Sequence, residues 1–453
     1  MKYVVVGGDA AGMSAAMQLL KHDREAEITI LEKGAYYSYA QCGMPYAISG
    51  VVASTDDLVV RSVATFREKY GMDARVYHHV EKLDTESKVV SGRNTETGEE
   101  FHVAYDKLLI ATGASPFVPK WEGRELAGVH TVKTIPDTEA IIANIEEGID
   151  DVTVVGGGYI GLEMAENFRL LKKRVRLLVR SRQVAKMFDQ EMADLIVEEA
   201  ERHGIDILFE TEIEAIFGDK SVSSIQTNKG TYDTDLVVVA TGVQPNTAFL
   251  QETGVKLAKN GAVHVNEFLE TNVRNVYAAG DCALQYHRVK KAFDYIPLGT
   301  HANKQGRLAG MNMARKHRAF KGVTGTSVLQ FMDVTLAKTG LSDRDAEKLD
   351  IPHASVTVTS RHHAAYYPGA KKIWVKLTFR SDNGALLGGQ IIGEAGVDKR
   401  VDVLATALFN EMTVEELEDL DLSYAPPYNS TWDPIQQAAR KAVGKLEELA
   451  ESE

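Results

Sequence analysis

Two glycine-rich turns, "GGDAAG" at 7–12 and "GGGYIG" at 156–161, restrict the chain more than anything else in it. Each follows a short β-branched run, "YVVV" at 3–6 and "VTVV" at 152–155, and each opens onto a stretch with helical spacing. A strand buried on both faces, a tight turn and a helix make the βαβ unit of a parallel sheet, with the helix N-terminus open to an anion. The chain therefore reads as α/β with two such units in series. Its 453 residues exceed what one core can organise, so two to three domains are expected.

In the first unit, Gly7 and Gly12 stand at the first and last positions of G-x-G-x-x-G, and Asp9 takes the middle one. The next strand, "EITILEKG", ends in Glu32, 20 residues after Gly12, where an acid meets a ribose. The alternative is an α/β turn without a ligand. In the second unit Gly156, Gly158 and Gly161 fill all three positions. Its second strand, 175–179, ends in Val179 and Arg180, with Arg182 and Lys186 close behind. An acid there would bind the ribose hydroxyls of NAD; basic residues suit the extra phosphate of NADP instead. NADPH is therefore expected, with NADH also admitted. A solvated basic face is the alternative. "LLIATGA" (108–114) and "LVVVATGVQPN" (236–246) read as buried strands running into Thr-Gly turns. "NVYAAGDCA" (275–283) ends a strand at Gly280 and Asp281, where a sugar-like hydroxyl chain can be met.

The bulk numbers narrow the partners. Apolar residues make up 44% and charged residues 25%, as in an ordinary globular protein, and the net charge of −13 argues against nucleic acid or an anionic membrane surface. Two cysteines cannot build a disulfide framework, so a reducing cytoplasm is expected. The N-terminus runs straight into a strand without a signal-peptide pattern, and no apolar run is long enough to span a bilayer. "RHH" at 361–363 has no Cys or carboxylate at ligand spacing, so a solvated loop and no metal are expected.

Taken in order, "GGDAAG" with Glu32, "ATGA", "GGGYIG", "ATGVQPN" and "YAAGDCA" resemble the FAD-dependent pyridine nucleotide-disulfide oxidoreductase family over essentially the whole chain. The resemblance implies two Rossmann-like dinucleotide-binding domains, for FAD and NAD(P), plus a C-terminal α+β dimerisation domain. FAD would be bound by 1–112 and 250–325, NAD(P)H by 113–249, and 326–453 would form a homodimer. It further implies FAD contacts from Gly7, Gly12, Glu32, Lys33, Ser38, Thr112, Gly113, Asp281 and Ala302. NAD(P)H contacts would come from Gly156, Gly158, Tyr159, Ile160, Gly161, Arg180, Lys186 and Gly242. Tyr159 would shield the flavin until nicotinamide displaces it; the alternative is an ordinary aromatic at a helix start.

Most members of the family carry C-x-x-x-x-C, but here the position after Cys42 in that spacing is Ala47. The other thiol, Cys282, follows Asp281 and reads as a small buried filler. "SYAQCGMPY" resembles the S-x-x-x-C-x-x-P-Y signature of the coenzyme A disulfide reductase branch through Ser38, Cys42, Pro45 and Tyr46. That implies NAD(P)H-dependent reduction of coenzyme A disulfide, or a related persulfide or polysulfide, with Cys42 cycling as a mixed disulfide with coenzyme A. The freed thiolate needs a depressed pKa, expected from a helix N-terminus and the flavin. A buried structural cysteine is the alternative. "HHAAYYPGAKK" (362–372) and "LSYAPPYNSTWDP" (422–434) resemble segments whose tyrosines reach the partner's cysteine. Tyr366 and Tyr424 are the carry-overs and Tyr367 and Tyr428 the competitors, either as phenolic helpers or as dimer anchors. Gln18, Lys21, Ser38 and Arg61 are expected to hold coenzyme A, although Leu20 replaces a basic residue often found there. Two rivals remain: an NAD(P)H oxidase or peroxidase working through a Cys42 sulfenic acid, against which Ala10 stands in place of a histidine, and an electron-transfer flavoprotein without thiol chemistry.

Overall fold

A computed structural model describes residues 1–451. Two five-stranded parallel sheets are built around the two glycine turns. The first has the strand order 276–278, 107–110, 2–6, 27–31, 73–75, and the second 205–209, 174–179, 151–155, 236–239, 129–130. In both, the strand feeding the glycine turn is central, and the chain passes first to one side of it and later to the other. Each turn therefore sits at a topological switch point, where open α/β sheets form their ligand crevice. Packing enforces the glycines. A Cβ on Gly12 would lie 1.9 Å from the Gly7 carbonyl oxygen, and one on Gly161 would lie 1.7 Å from that of Gly156.

The helix Gly299–Met313 closes the first unit by crossing onto the helix Ala10–His22. Close approach is possible because Gly306 faces Ala11, whose carbonyl oxygen would be 2.1 Å from any Cβ placed there. The chain leaves the first unit and returns to it at one place. Strands Ala114–Pro116 and Val243–Pro245 pair antiparallel there, and the Asn246 side chain donates to the Thr112 carbonyl (2.9 Å) and accepts from Ser115 Oγ (2.7 Å).

The third unit is an antiparallel sheet of strands 327–331, 334–340, 386–393, 372–380 and 353–361, packed on helices 397–409 and 434–450. Its first hairpin plugs into the second unit. Successive amides of the turn, Met332 and Asp333, donate to Glu166 (3.0 Å) and Glu199 (2.7 Å), both buried helix glutamates. His203 Nε2 stands 3.1 Å from the Asp333 carboxylate and 3.2 Å from that of Glu199, which Arg202 also holds. This cluster is an ion-paired clasp between units. A second clasp is Lys376, buried and salt-bridged to Asp189 (3.1 Å), Glu191 and Asp343 (2.8 Å).

The "RHH" segment departs from the solvated loop expected of it. His363 is only 5% exposed, and its Nδ1 is 2.7 Å from His362 Nε2. The cause is Arg400, wholly buried on the helix beneath, which donates to the His362 carbonyl (2.8 Å), Asn429 (3.0 Å) and Asp433 (3.0 Å) and pulls the loop down.

Candidate active site

Cys42 lies in the single turn Gln41–Gly43, just before the helix Met44–Ile48, whose first turn contains Pro45, a residue pre-set for that place. Met44, Ala47 and Ile48 are buried in the same apolar cluster as Val154, Leu162 and Phe168 of the second unit. Ser49 Oγ donates to Asn167 Oδ1 (2.5 Å). The segment carrying Cys42 is thus wedged between two nucleotide folds. On its other side, Ser38 adopts a left-handed backbone (φ 48°) and donates its amide to the Gly8 carbonyl (2.9 Å). The Ser38 carbonyl accepts from Val60 N (2.9 Å), which brings the neighbouring, exposed Arg61 beside Ser38.

The Cys42 side chain is open to solvent and free, whereas Cys282 is fully buried and bonds through Sγ to the Ile110 carbonyl (3.4 Å). The two thiols therefore cannot meet. The depressed thiol pKa expected from the sequence is not what the polypeptide provides. The walls of the crevice desolvate Cys42 and push it up, Glu163 adds to the rise, Lys133 opposes it, and Asp281 and Asp9 raise it further. The helix that follows has only five residues, so its dipole is too small to offset the desolvation and the acids that the fold brings near the sulfur.

At the first glycine turn, both Glu32 oxygens are preset by backbone amides, Gly8 N and Gly34 N, each at 2.8 Å. Asp281 meets Lys133 Nζ at 3.4 Å, and its carbonyl accepts from Tyr295 Oη (2.9 Å). A turn with no room for side chains, an acid at the end of the second strand and a second acid at the far mouth fit FAD. Gly113 lies at the crossover, where Thr112 spends its hydroxyl on the Asn246 carbonyl (2.7 Å). Lys33 is exposed next to Glu32. Ala302 packs under Gly280, and its amide is already used within its own helix, so it offers shape rather than a hydrogen bond. On the first helix, Gln18 is half-buried and Lys21 exposed, the latter about 16 Å along the axis from the turn.

At the second turn, Tyr159 begins its helix half-buried, with its hydroxyl 2.5 Å from Ser327 Oγ of the third sheet. Ile160 beside it is exposed, and Gly242 leads into the crossover strand. Arg180 and Lys186 are exposed, but Arg182 is drawn off to Glu210 (2.7 Å). On the third unit, Tyr366 and Tyr424 come together, hydroxyl to hydroxyl, at 3.1 Å. Tyr366 is 75% and Tyr428 73% exposed; Tyr367, Tyr424 and Trp432 are also exposed, the last with the Arg440 guanidinium 3.8 Å above its ring.

Some residues of the crevice were not marked by any motif. Glu163 and Glu166, one turn apart on the helix after the second glycine turn, are both raised to about 7, chiefly by burial. Their spacing is visible in "GLEMAE", but what makes them unusual comes from elsewhere in the chain: Glu166 is met by the hairpin of the third unit, and Glu163 acts on Cys42 and Tyr46. Lys133, Tyr39 and Gln41 also gain their place only through folding.

Comparison with known proteins gives a consistent picture. The family described as pyridine nucleotide-disulphide oxidoreductase matches residues 1–306, and its dimerisation domain matches 326–434. A protein of Pyrococcus abyssi named NAD(P)H sulfur oxidoreductase (CoA-dependent) is 38% identical over 96% of this chain and 97% of its own. A coenzyme A disulfide reductase of Staphylococcus aureus is 33% identical over 97% and 99%. Among solved structures, the reduced Bacillus anthracis CoADR-RHD matches with a TM-score of 0.96 and 37% identity, over 99% of this chain and 81% of its own. An engineered water-forming NADPH oxidase bound to NADPH, derived from a Lactobacillus brevis NADH oxidase, matches with a TM-score of 0.95 and 28% identity over 99% of each chain.

Proposed function

Because the chain belongs to the pyridine nucleotide-disulphide oxidoreductase family, we propose that it is an FAD-dependent NAD(P)H:disulfide reductase working on coenzyme A disulfide or a related persulfide or polysulfide through Cys42. The observation that carries this reading is a solvent-open Cys42 with no second cysteine in reach. A redox thiol without an internal partner takes its second sulfur from a small molecule. FAD, when bound, supplies the relay of an electron pair from nicotinamide to sulfur.

The chain's own residues handle the sulfur. Cys42 holds one substrate sulfur as a mixed disulfide; two electrons break that S–S bond, freeing the small thiol and leaving Cys42 as thiolate. The thiolate attacks the next disulfide, forms a new mixed disulfide and expels the second thiol. One NAD(P)H and one proton thus convert one disulfide into two thiols. Each departing thiolate needs a proton, and the Tyr366–Tyr424 pair suits its delivery from the partner subunit of a homodimer, one phenol donating while the other accepts. Ser38, Arg61, Gln18 and Lys21 hold coenzyme A, the cations serving its phosphates.

Arg180 and Lys186 favour NADPH. The engineered NADPH oxidase carries a new Ala-Arg-Ser run and a further new arginine six positions after the first; here Val179-Arg180-Ser181 is followed by Lys186 at the same spacing. The division into FAD-binding segments 1–112 and 250–325, an NAD(P)H-binding segment 113–249 and a dimerising segment 326–453 belongs to the same proposal. So does a reducing, cytoplasmic setting.

The test is the intact mass of the protein purified without reductant, with peptide mapping. We expect a coenzyme A adduct on Cys42 that NADPH releases. A single added oxygen on Cys42 moves the reading to an oxidase or peroxidase. Full turnover by Cys42→Ser removes thiol chemistry altogether.

A further inference from the structure

Asp9 occupies the middle position of the first glycine turn, directly before the helix Ala10–His22. An aspartate in that place ordinarily accepts from the free amides of the helix it precedes. Asp9 makes no such bond. It turns to the redox loop instead: Oδ1 accepts from Tyr39 N (3.1 Å) and Oδ2 from Gln41 Nε2 (2.6 Å). Both donors lie within three residues of Cys42, and Gln41 is its immediate neighbour. Among the described residues this is the one side-chain tether between the glycine turn and residues 39–41 of the loop.

We infer that Asp9 is a positioning residue for the redox thiol: its carboxylate fixes the loop 39–42 against the glycine turn and sets a charge beside the residue that precedes Cys42. The inference rests on the reading of Cys42 as the redox thiol. The groups around Asp9 are Glu32 from the second strand, Lys133 from the crossover side, Tyr39 and Gln41 from the loop, and Cys42 itself. Burial holds the Asp9 carboxyl up at about 6, against the pull of its two donors, so it changes charge within a unit or so of neutrality. Like charges in one crevice titrate together. Ionised Asp9 disfavours the Cys42 thiolate, and the thiolate favours protonated Asp9. The same carboxylate that aims the sulfur thus also restrains its reactivity.

The experiment uses the flavin-loaded, reduced protein and three variants: Asp9→Asn, Asp9→Ala and Gln41→Leu. The rate of Cys42 alkylation by iodoacetamide is followed against pH by peptide mass, alongside turnover. Asp9→Asn keeps an acceptor for Tyr39 N and loses the charge; its alkylation midpoint is expected to fall by about half a pH unit or more, with turnover kept within a few-fold. Asp9→Ala loses both tethers, and a roughly tenfold fall in kcat is expected, restored by Asn. Gln41→Leu cuts one tether and keeps the charge, so turnover falls while the midpoint does not drop; this variant reports even if Asp9→Ala fails to fold. An unmoved midpoint in Asp9→Asn, or equal turnover in all three, overturns the inference. If alkylated Cys42 still turns over, the redox-thiol reading fails with it; if alkylation stops turnover but the midpoint stays put, only the role of Asp9 fails.

Discussion

Arg180 and Lys186 have no side-chain partner among the described residues, while Arg182, two residues away from Arg180, is already paired with Glu210. On the proposed reading, coenzyme choice hangs on the unpaired two. Arg180→Glu is expected to lower the NADPH/NADH ratio of kcat/KM about tenfold or more, the size of one charge-assisted phosphate bond; steady-state kinetics with both coenzymes checks it, and an unchanged ratio leaves Arg180 as surface. The isolation of Cys42 was legible in the sequence because it needs only a count of thiols and one spacing. The upward push on its pKa was not, because Glu163 and Asp281 reach it from more than a hundred residues away. Asp9 read as a flaw in a motif; its two hydrogen bonds to the loop give it a purpose that spacing alone cannot express.

Helices differ in what a methyl group does to them. Gly306 in the helix Gly299–Met313 faces the Ala11 backbone so closely that Gly306→Ala forces the helices apart. Overpacking of this kind costs about 1–3 kcal/mol, so a lower Tm and partial flavin loss on gel filtration are expected. Gly444 in the terminal helix meets nothing within 4 Å, and Gly444→Ala serves as the control, neutral or stabilising by up to about 1 kcal/mol. The strands and helices of both glycine units were readable from β-branched runs and turn residues, which are local signals. The glycine contact between Gly306 and Ala11 was not, since "NKQGRLAG" has the periodicity of any half-buried helix and its partner is almost three hundred residues earlier.

Across the molecule, the hairpin turn at Met332 and Asp333 joins the second and third units by burying carboxylates. Glu166 is raised from 4.5 to about 7, so the folded chain keeps a proton there that the unfolded chain releases. Stability from this group is present in acid and declines as pH climbs from about 4.5 through about 7. Glu166→Gln, always neutral, is expected to shrink the Tm difference between pH 5 and pH 8, measured by thermal unfolding in matched buffers; an unchanged difference places the pH dependence elsewhere. The three-unit plan was legible from motif order, whereas the clasps at Glu199 and Lys376 were not, because each charged partner looks like a solvated residue until two units close over it.

The paired strands Ala114–Pro116 and Val243–Pro245 put the way into the second unit and the way out of it side by side. Everything between them is, in effect, a cassette hung from one doorway. A graft that exchanges residues 117–242 for the same span of another such fold would have to match that short pair of strands, the Asn246 knot and the hairpin socket, and also the seat of the Cys42 helix, the Lys133–Asp281 pair and the Lys376 clasp. Trading the electron source therefore means trading part of the wall around Cys42 as well, since Glu163, Lys133 and the seat of the Cys42 helix travel with the cassette.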